Sequence, residues 1–297
     1  MARFIDPRVD WAFKRIFGSE DTKECLITFL NGLFEDELVI KDVTFAKTEK
    51  LGLRPDDRGV VFDVYCITNE GKHVIVEMQK KEQEYFADRA LYYTARAIVQ
   101  QGIRGIWDYH LAPVYTVCFM DFVSQSPILK EFRTDLVLTD LQTRQRVSDR
   151  MRIVYLQLPL FDKHTEAECM DIFDCWIYIV KNMNMFEQMP FSEKYPVFRK
   201  LAEIGDLRKL SREELELYDE DIKNMRDIYA TRKFDEKKGM EIGMAKGMEK
   251  GMAKGMAKGM EKEKLATARR LLSMGLSDEQ VSTATELPLE EIQKMKG

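Results

Sequence analysis

The chain has 297 residues, 45% of them hydrophobic and 33% charged, which is enough for one substantial core together with one or two smaller modules. Its formal net charge of −5 argues against a protein whose whole surface attracts nucleic acid. No apolar run approaches the ~18 residues of a transmembrane helix, and the N-terminal residues lack the apolar stretch of a signal peptide, so we expect a cytoplasmic protein with no membrane partner.

The first clearly defined element is a β-hairpin over residues 60–81. A run rich in β-branched and aromatic residues covers 60–67, Asn-Glu-Gly supplies a turn, and a second such run starts at His73. Side chains alternate between the two faces of a strand, so Glu77 and Gln79 point to the same side. The hairpin therefore carries polar side chains on one face of its second strand.

Two carboxylates converge in this hairpin. Asp63 lies near the start of the first strand, and pairing across the turn brings it close to the end that carries Glu77. A carboxylate that leaves water is costly unless it is paired, hydrogen-bonded or bound to a metal. Because Mg²⁺ prefers oxygen ligands, the pair predicts a site for a hard cation. The alternative is that both acids face solvent or form ion pairs with Lys72, Lys80 or Lys81.

Several motifs occur in the order found in a known family. Phe-Asp-Val at 62–64, a turn, and Val-Glu-Met-Gln at 76–79 resemble the Asp and Glu-x-Gln variant of the PD-(D/E)XK nuclease superfamily. The resemblance is to its recombination-promoting nuclease and putative transposase (Rpn) branch, and it includes the Asp-x-x-Phe-Lys pattern at 10–14 and the helix-then-strand unit at 89–122. It covers roughly the first half of the chain. It implies an α/β fold with a restriction-endonuclease-like core, in which helices flank a mixed central sheet, followed by a helical C-terminal extension.

The resemblance also implies roles for individual residues. Asp63 and Glu77 would be metal ligands, the carbonyl of Met78 a third ligand, and Asp10 an accessory acid, with Mg²⁺ as the cofactor and Mn²⁺ as its substitute. Gln79 stands where lysine is usual in the superfamily, although glutamine there resembles what this branch tends to show, and the intact set of Asp63, Glu77 and Gln79 favours an enzyme. The Gln79 amide can orient and donate a hydrogen bond but carries no charge, so we expect an effect on rate rather than on the class of reaction.

A basic helix face follows the hairpin. Four residues recur at steps of four, three and four and therefore share one face: Arg89, Tyr93, Arg96 and Gln100. We expect Arg89, Arg96 and Gln100 to contact a DNA backbone beside the acids, together with Lys81, which shares the face of Glu77. In the alternative this face is merely solvated, and the helix packs through its apolar residues: Leu91, Ala95 and Ile98.

The next two segments predict helices. Residues 159–232 should form a helical segment on the nuclease-like domain of residues 1–158, with a capping box at Ser211 and Glu214. A Gly-Met-x-Lys repeat fills residues 233–264. Each glycine costs a helix about 1 kcal/mol relative to alanine, and four residues advance a helix by about 400°, so the Gly and Met stripes drift around it. We interpret the repeat as a semi-flexible helical linker that pairs with a second copy, with disorder as the alternative.

Residues 265–297 predict a small helical cap. Gly275 ends one helix, and Ser277 with Gln280 forms a capping box for the next. The spacing resembles a helix-turn-helix, but the candidate recognition helix begins Leu-Glu-Glu and would place acids against phosphate, which favours a packing or self-association module. Charge is uneven, since residues 237–264 carry +4 and the rest −9. DNA contact would therefore come from a local patch.

Other types of site have little support in the sequence. The five cysteines show no Cys-x-x-Cys spacing and sit mostly among apolar neighbours, which is typical of reduced core residues. The three histidines are far apart, and no glycine-rich loop of the phosphate-cradling type is present. A catalytic triad, a zinc site and a nucleotide-driven enzyme are therefore not expected.

Together these features predict a metal-dependent DNA endonuclease that hydrolyses phosphodiester bonds, in recombination or mobile-element biology as the family name implies. The expected partner is DNA, and the repeat and cap are a candidate homodimer interface. Two alternatives stay open. One is a degenerate nuclease fold that binds DNA without cutting it, and the other is an interaction protein whose tail assembles partners.

Overall fold

The computed structural model describes residues 2–35, 37–50, 59–103 and 105–295, apart from the side chains of Lys50 and Arg232. The chain divides into two compact units, Met1–Met225 and Arg226–Gly297, which we call unit 1 and unit 2. The sheet and the predicted site belong to unit 1.

Helices and strands alternate along the first half of the chain, and helices follow. The described helices are α1 (Asp10–Phe17), α2 (Lys23–Leu33), α3 (Phe86–Val99), α4 (Ile172–Asn182), α5 (Pro196–Gly205), α6 (Arg212–Ser273), α7 (Asp278–Thr285) and α8 (Leu289–Lys294). The described strands are β1 (Val43–Phe45), β2 (Glu49–Lys50), β3 (Val60–Val61), β4 (Val64–Thr68), β5 (His73–Gln79), β6 (Val114–Met120), β7 (Arg133–Thr139) and β8 (Arg146–Gln157). Short 3₁₀ turns occur at Glu20–Thr22, Leu158–Leu160, Glu166–Glu168, Met183–Met185 and Leu207–Lys209.

Six of these strands form one mixed sheet in the order β1-β4-β5-β6-β8-β7, and β2 pairs with β3 separately. β5, β6 and β8 are parallel, and antiparallel partners flank them on both sides. Gln79, Met120 and Gln157 are in register at the ends of the parallel strands. Side chains at the carboxyl ends of these strands therefore meet at one edge of the sheet. The sheet and its flanking helices confirm the predicted α/β architecture.

Helices cover both faces of the sheet. On one face, α1, α2, α4 and α5 share a large core with the sheet, in which the rings of Phe17, Phe29, Phe119 and Trp176 are in contact. On the other face, α3 packs Phe86 and its small residues against β6 and β8. Helices α4 and α5 thus lie in the same core as the sheet. All five cysteines are buried and free, as the sequence predicted.

Helix α6 begins in unit 1 and includes the whole Gly-Met-x-Lys repeat. A Cβ added at any of the six repeat glycines would meet no heavy atom within 4 Å, and the six repeat methionines are 59–74% exposed. The repeat is thus helical, and its glycines and methionines are exposed to solvent. None of the helices in the described ranges is long and apolar enough to cross a membrane.

Unit 2 ends in the predicted cap. Gly275, with φ at +89°, follows the end of α6, and the capping box of Ser277 and Gln280 starts α7. A small core joins the end of α6 to α7 and α8 through four buried residues: Ala268, Val281, Leu287 and Ile292.

Candidate active site

The predicted first strand of the hairpin is interrupted at its acid. β3 ends at Val61 and β4 begins at Val64, so Asp63 lies in the break. Its backbone N–H donates to Oε1 of Glu77 at 3.2 Å, and its own Oδ2 accepts from the N–H of Met78 at 2.8 Å. Side-chain hydrogen bonds replace the strand ladder at this point. The structure therefore has two strands where the sequence pattern predicted one continuous strand.

The turn and register bring the acids together as the sequence predicted. Gly71 adopts φ of +77° in the turn, and β4 pairs with β5 so that Val64 lies opposite Val76. The next residues along this register are Asp63 and Glu77. The convergence follows from local turn chemistry and strand pairing alone.

Glu77 is buried, with 3% of its surface exposed. Its Oε2 accepts from Nε2 of Gln79 at 3.3 Å and lies 3.8 Å from Nη2 of Arg89 on α3. Burial and the neighbouring carboxylate of Asp63 raise the pKa of Glu77 to about 8, although Arg89 and the hydrogen bonds act in the opposite direction. The charged form is therefore disfavoured when no cation is bound.

The carboxyl group of Asp63 is also in an environment that disfavours its charged form. Burial raises its pKa, and so does the carboxylate of Asp10 on α1, while the Met78 N–H, Lys14 and Arg89 lower it. Asp10 itself forms an ion pair with Lys14 at 2.8 Å. Asp10 thus lies within electrostatic reach of Asp63 but is already bound to a lysine.

A family model described as PD-(D/E)XK nuclease family transposase matches residues 7–233. The chain belongs to this family. Neither a curated protein nor a solved structure is similar enough to the chain to count as a match.

The PD-(D/E)XK match is longer than the stretch of sequence motifs. Besides α1, the hairpin and α3, it covers α4, α5 and the start of α6. Those later elements contact α1 directly. Glu214 forms an ion pair with Arg15, the Tyr218 hydroxyl accepts from the N–H of Asp6 at 2.9 Å, and Asp221 Oδ2 accepts from the N–H of Trp11 at 2.8 Å. The PD-(D/E)XK domain therefore includes the helix start that holds α1 in place.

Helix α3 turns its predicted basic face toward the sheet. The Arg89 guanidinium lies 5.1 Å from the centre of the Tyr93 ring, beside Glu77, whereas Arg96 is only 6% exposed and Gln100 is half-buried. Leu91, which the alternative packed inward, is 48% exposed. The small side chains of Ala90, Thr94 and Ala97 face the sheet instead, and the Thr94 hydroxyl lies 2.7 Å from that of Thr116. The Arg96 side chain is therefore buried rather than on an open surface.

Two lysines follow Gln79, and the sequence favoured the second. Lys81 is half-buried. Lys80 is also half-buried, and its ammonium interacts electrostatically with Asp10, Asp221, Asp6 and Asp63. Alternation along β5 carries the signal that was missed, because it places Lys80 on the α1 side of the sheet, opposite to Gln79.

The chemistry of the paired acids suits a hard divalent cation. Asp63 and Glu77 offer carboxylate oxygens in a partly desolvated place, and burial together with the neighbouring acids raises the pKa of both groups. Within the described ranges, no three His, Cys, Asp or Glu side chains are arranged to hold a metal ion. The Met78 side chain packs in the core. The protein would therefore provide two carboxylates and the predicted Met78 carbonyl, a set that Mg²⁺ commonly completes with water and phosphate.

Proposed function

We propose that the protein is a metal-dependent DNA endonuclease that hydrolyses phosphodiester bonds. The observation that carries the proposal is the pair of converging carboxylates, Asp63 and Glu77, at the carboxyl edge of a PD-(D/E)XK sheet. Two acids with raised pKa values are costly to the metal-free fold, so a role in binding a cation accounts for their presence better than a structural role does.

Each neighbouring residue has a distinct part in this proposal. Asp63 and Glu77, with the carbonyl of Met78, would hold Mg²⁺ or Mn²⁺. Bound there, the cation would lower the pKa of a water and offset charge on the scissile phosphate. Gln79 orients Glu77 through the hydrogen bond to Oε2. Asp10, paired with Lys14, would act as the accessory acid.

DNA is the proposed partner and the cytoplasm the proposed compartment. The family to which the chain belongs is described as a transposase as well as a nuclease, which supports a role in recombination or mobile-element biology. Five free cysteines are typical of proteins from a reducing compartment. Arg89, beside Glu77, is the best placed of the predicted DNA-contacting residues.

One observation favours a second candidate, a nuclease fold that binds DNA without cutting it. Gln79 carries no charge, and its amide is already bound to Glu77, so the superfamily's usual lysine has no replacement at that position. A binding-only protein would retain the site geometry without turnover.

Plasmid nicking distinguishes the two. We expect the wild type to nick supercoiled DNA with Mg²⁺ or Mn²⁺ but not with EDTA, and we expect Asp63→Asn and Glu77→Gln to lose at least about 100-fold of the rate. Glu70→Gln is the matched control, because Glu70 is an exposed acid at the far end of the same hairpin and pairs with Lys72. DNA binding without nicking in either ion would favour the second candidate, and equal nicking by Glu77→Gln would refute the site.

A further inference from the structure

Lys80 occupies a particular place at the end of β5. It is the first residue after Gln79, and alternation directs it to the α1 side of the sheet, whereas Glu77 and Gln79 lie on the α3 side. The Asp121 N–H donates to the carbonyl of Gln79 at 2.8 Å, which fixes the backbone immediately before Lys80. The side chain is half-buried. Its side chain is therefore partly enclosed beside the end of β5 rather than extended freely into solvent.

Carboxylates from four parts of unit 1 attract this ammonium, while its partial burial opposes the charge. Asp6 and Asp10 come from the N-terminal segment and α1, Asp63 from the hairpin, and Asp221 from α6. Even so, Lys80 forms no ion pair and no side-chain hydrogen bond within the part of the chain that the structure describes. A partly buried ammonium without a close partner is costly, so its position calls for an explanation.

The surrounding carboxylates are bound to other donors. Asp6 is bound by Arg8, Asp10 by Lys14, Asp63 by the Met78 N–H, and Asp221 by the Trp11 N–H, at 2.8 Å in each case. The acids therefore attract Lys80 from a distance without using its three N–H donors. Those donors are available to a ligand that brings its own oxygen atoms.

We propose that Lys80 binds a phosphate oxygen of the DNA backbone at the site and so supplies the positive charge that Gln79 lacks. This inference rests on the proposed function, which makes DNA the substrate. Arg89 on α3 lies 3.8 Å from Glu77, and Lys80, which strand alternation places on the α1 side, is attracted by Asp63, so one cation acts on each acid from a different face of the sheet. A lysine ammonium is a compact charge with rotatable donors, which suits a phosphate that arrives among fixed carboxylates.

The salt dependence of DNA binding tests the proposal. Binding of a short duplex is measured in EDTA over a range of salt concentrations for the wild type and for Lys80→Met, Lys80→Gln and Lys80→Arg. We expect Met and Gln to weaken binding about 10-fold or more and to reduce the slope of log K against log salt by about 0.9, the value for one phosphate contact, while Arg retains most of both. Lys72→Met is the control, because Lys72 precedes β5 at its other end and pairs with Glu70.

The outcomes separate this inference from the proposed function. An unchanged slope in both Lys80→Met and Lys80→Gln overturns the role of Lys80, even if the wild type nicks DNA with Mg²⁺. A slope that depends on Lys80 in a protein that nicks DNA with neither Mg²⁺ nor Mn²⁺ supports the phosphate contact and rejects the endonuclease. A wild type that does not bind DNA at any salt concentration overturns both.

Discussion

The backbone N–H of Asp63 donates to the carboxylate of Glu77, and Asp63 in turn accepts from the backbone of the residue after Glu77. Each acid therefore holds the other's strand in place. Hydrogen bonds to backbone N–H groups fix the positions of both carboxyl groups. The two groups therefore cannot move apart to relieve the repulsion between their charged forms. Arg89 offsets part of this repulsion, and a bound cation or a proton would offset more of it.

Metal binding should therefore stabilise the protein. We expect Mg²⁺ or Mn²⁺ to raise the melting temperature of the wild type, by an amount that corresponds to about 2.7 kcal/mol when the ion is at 100 times its Kd. Glu77→Gln should melt at or above the wild type in EDTA, since the raised pKa of Glu77 shows that a neutral side chain is favoured there, and it should gain little from the ions. Thermal melts with and without each ion measure both effects. Equal stabilisation of the wild type and Glu77→Gln would exclude Glu77 as a ligand.

Asp221 should stabilise α1 from a distance of 210 residues along the chain. The N-cap residue of α1, Val9, provides no side-chain hydrogen bond, and Asp221 accepts from the Trp11 N–H instead. We expect Asp221→Ala to lower the free energy of unfolding by about 1 kcal/mol, as the loss of a helix cap does, and Asp221→Asn to lower it less. Urea unfolding is the measurement. Asp219→Ala, an exposed acid on the same helix, should have no comparable effect, and an equal loss in that control would mean that the cap is irrelevant.

Asp206 should make unit 1 sensitive to acid. Its buried carboxylate pairs with Arg208 at 2.6 Å and Arg3 at 3.3 Å, and the bond to Arg208 holds the pKa of Asp206 well below its usual range. A lowered pKa in the folded state contributes stability that is present above the unfolded pKa, near 3.9, and is lost as pH falls further. Asp206→Asn should therefore lower the free energy of unfolding by about 1–3 kcal/mol at neutral pH. On acidification below about pH 4, the variant should lose less of its stability than the wild type does. Parallel acid-dependent slopes in urea unfolding would contradict this assignment.

The repeat should tolerate changes of length. Its glycines have open space around them and its methionines are mostly exposed, and each Gly-Met-x-Lys unit contributes about 6 Å of helix. Deleting one or two units between Gly243 and Met260 should leave the melting temperature and nicking rate of unit 1 nearly unchanged. Sedimentation of the full-length and shortened proteins measures whether two copies pair through this segment. A large fall in melting temperature would show that the repeat contributes to the core.

Local rules predicted the hairpin and its acids but not everything around them. Turn chemistry at Gly71 and alternation along β5 were sufficient to bring Asp63 toward Glu77. The buried position of Arg96 could not be predicted in this way, because it depends on the close approach of the small residues of α3 to the sheet. The contact between Asp221 and α1 had no local signal either, since the two lie in elements far apart in sequence.

Residues near the N-terminus need partners that are synthesised much later, so the candidate site can assemble only when most of unit 1 has been made. The N-terminal residues bind the segment around Asp206: the Ile5 N–H donates to the carbonyl of Gly205, and the Leu207 N–H to that of Arg3. Helix α1 gains its cap from Asp221 only later. At a synthesis rate of about 5–20 residues per second, roughly 200 residues correspond to about 10–40 s on the ribosome. During that interval α1 lacks the hydrogen bond from Trp11 to Asp221, so under the proposed function a nascent chain that already carries both acids has not yet completed the frame of its site.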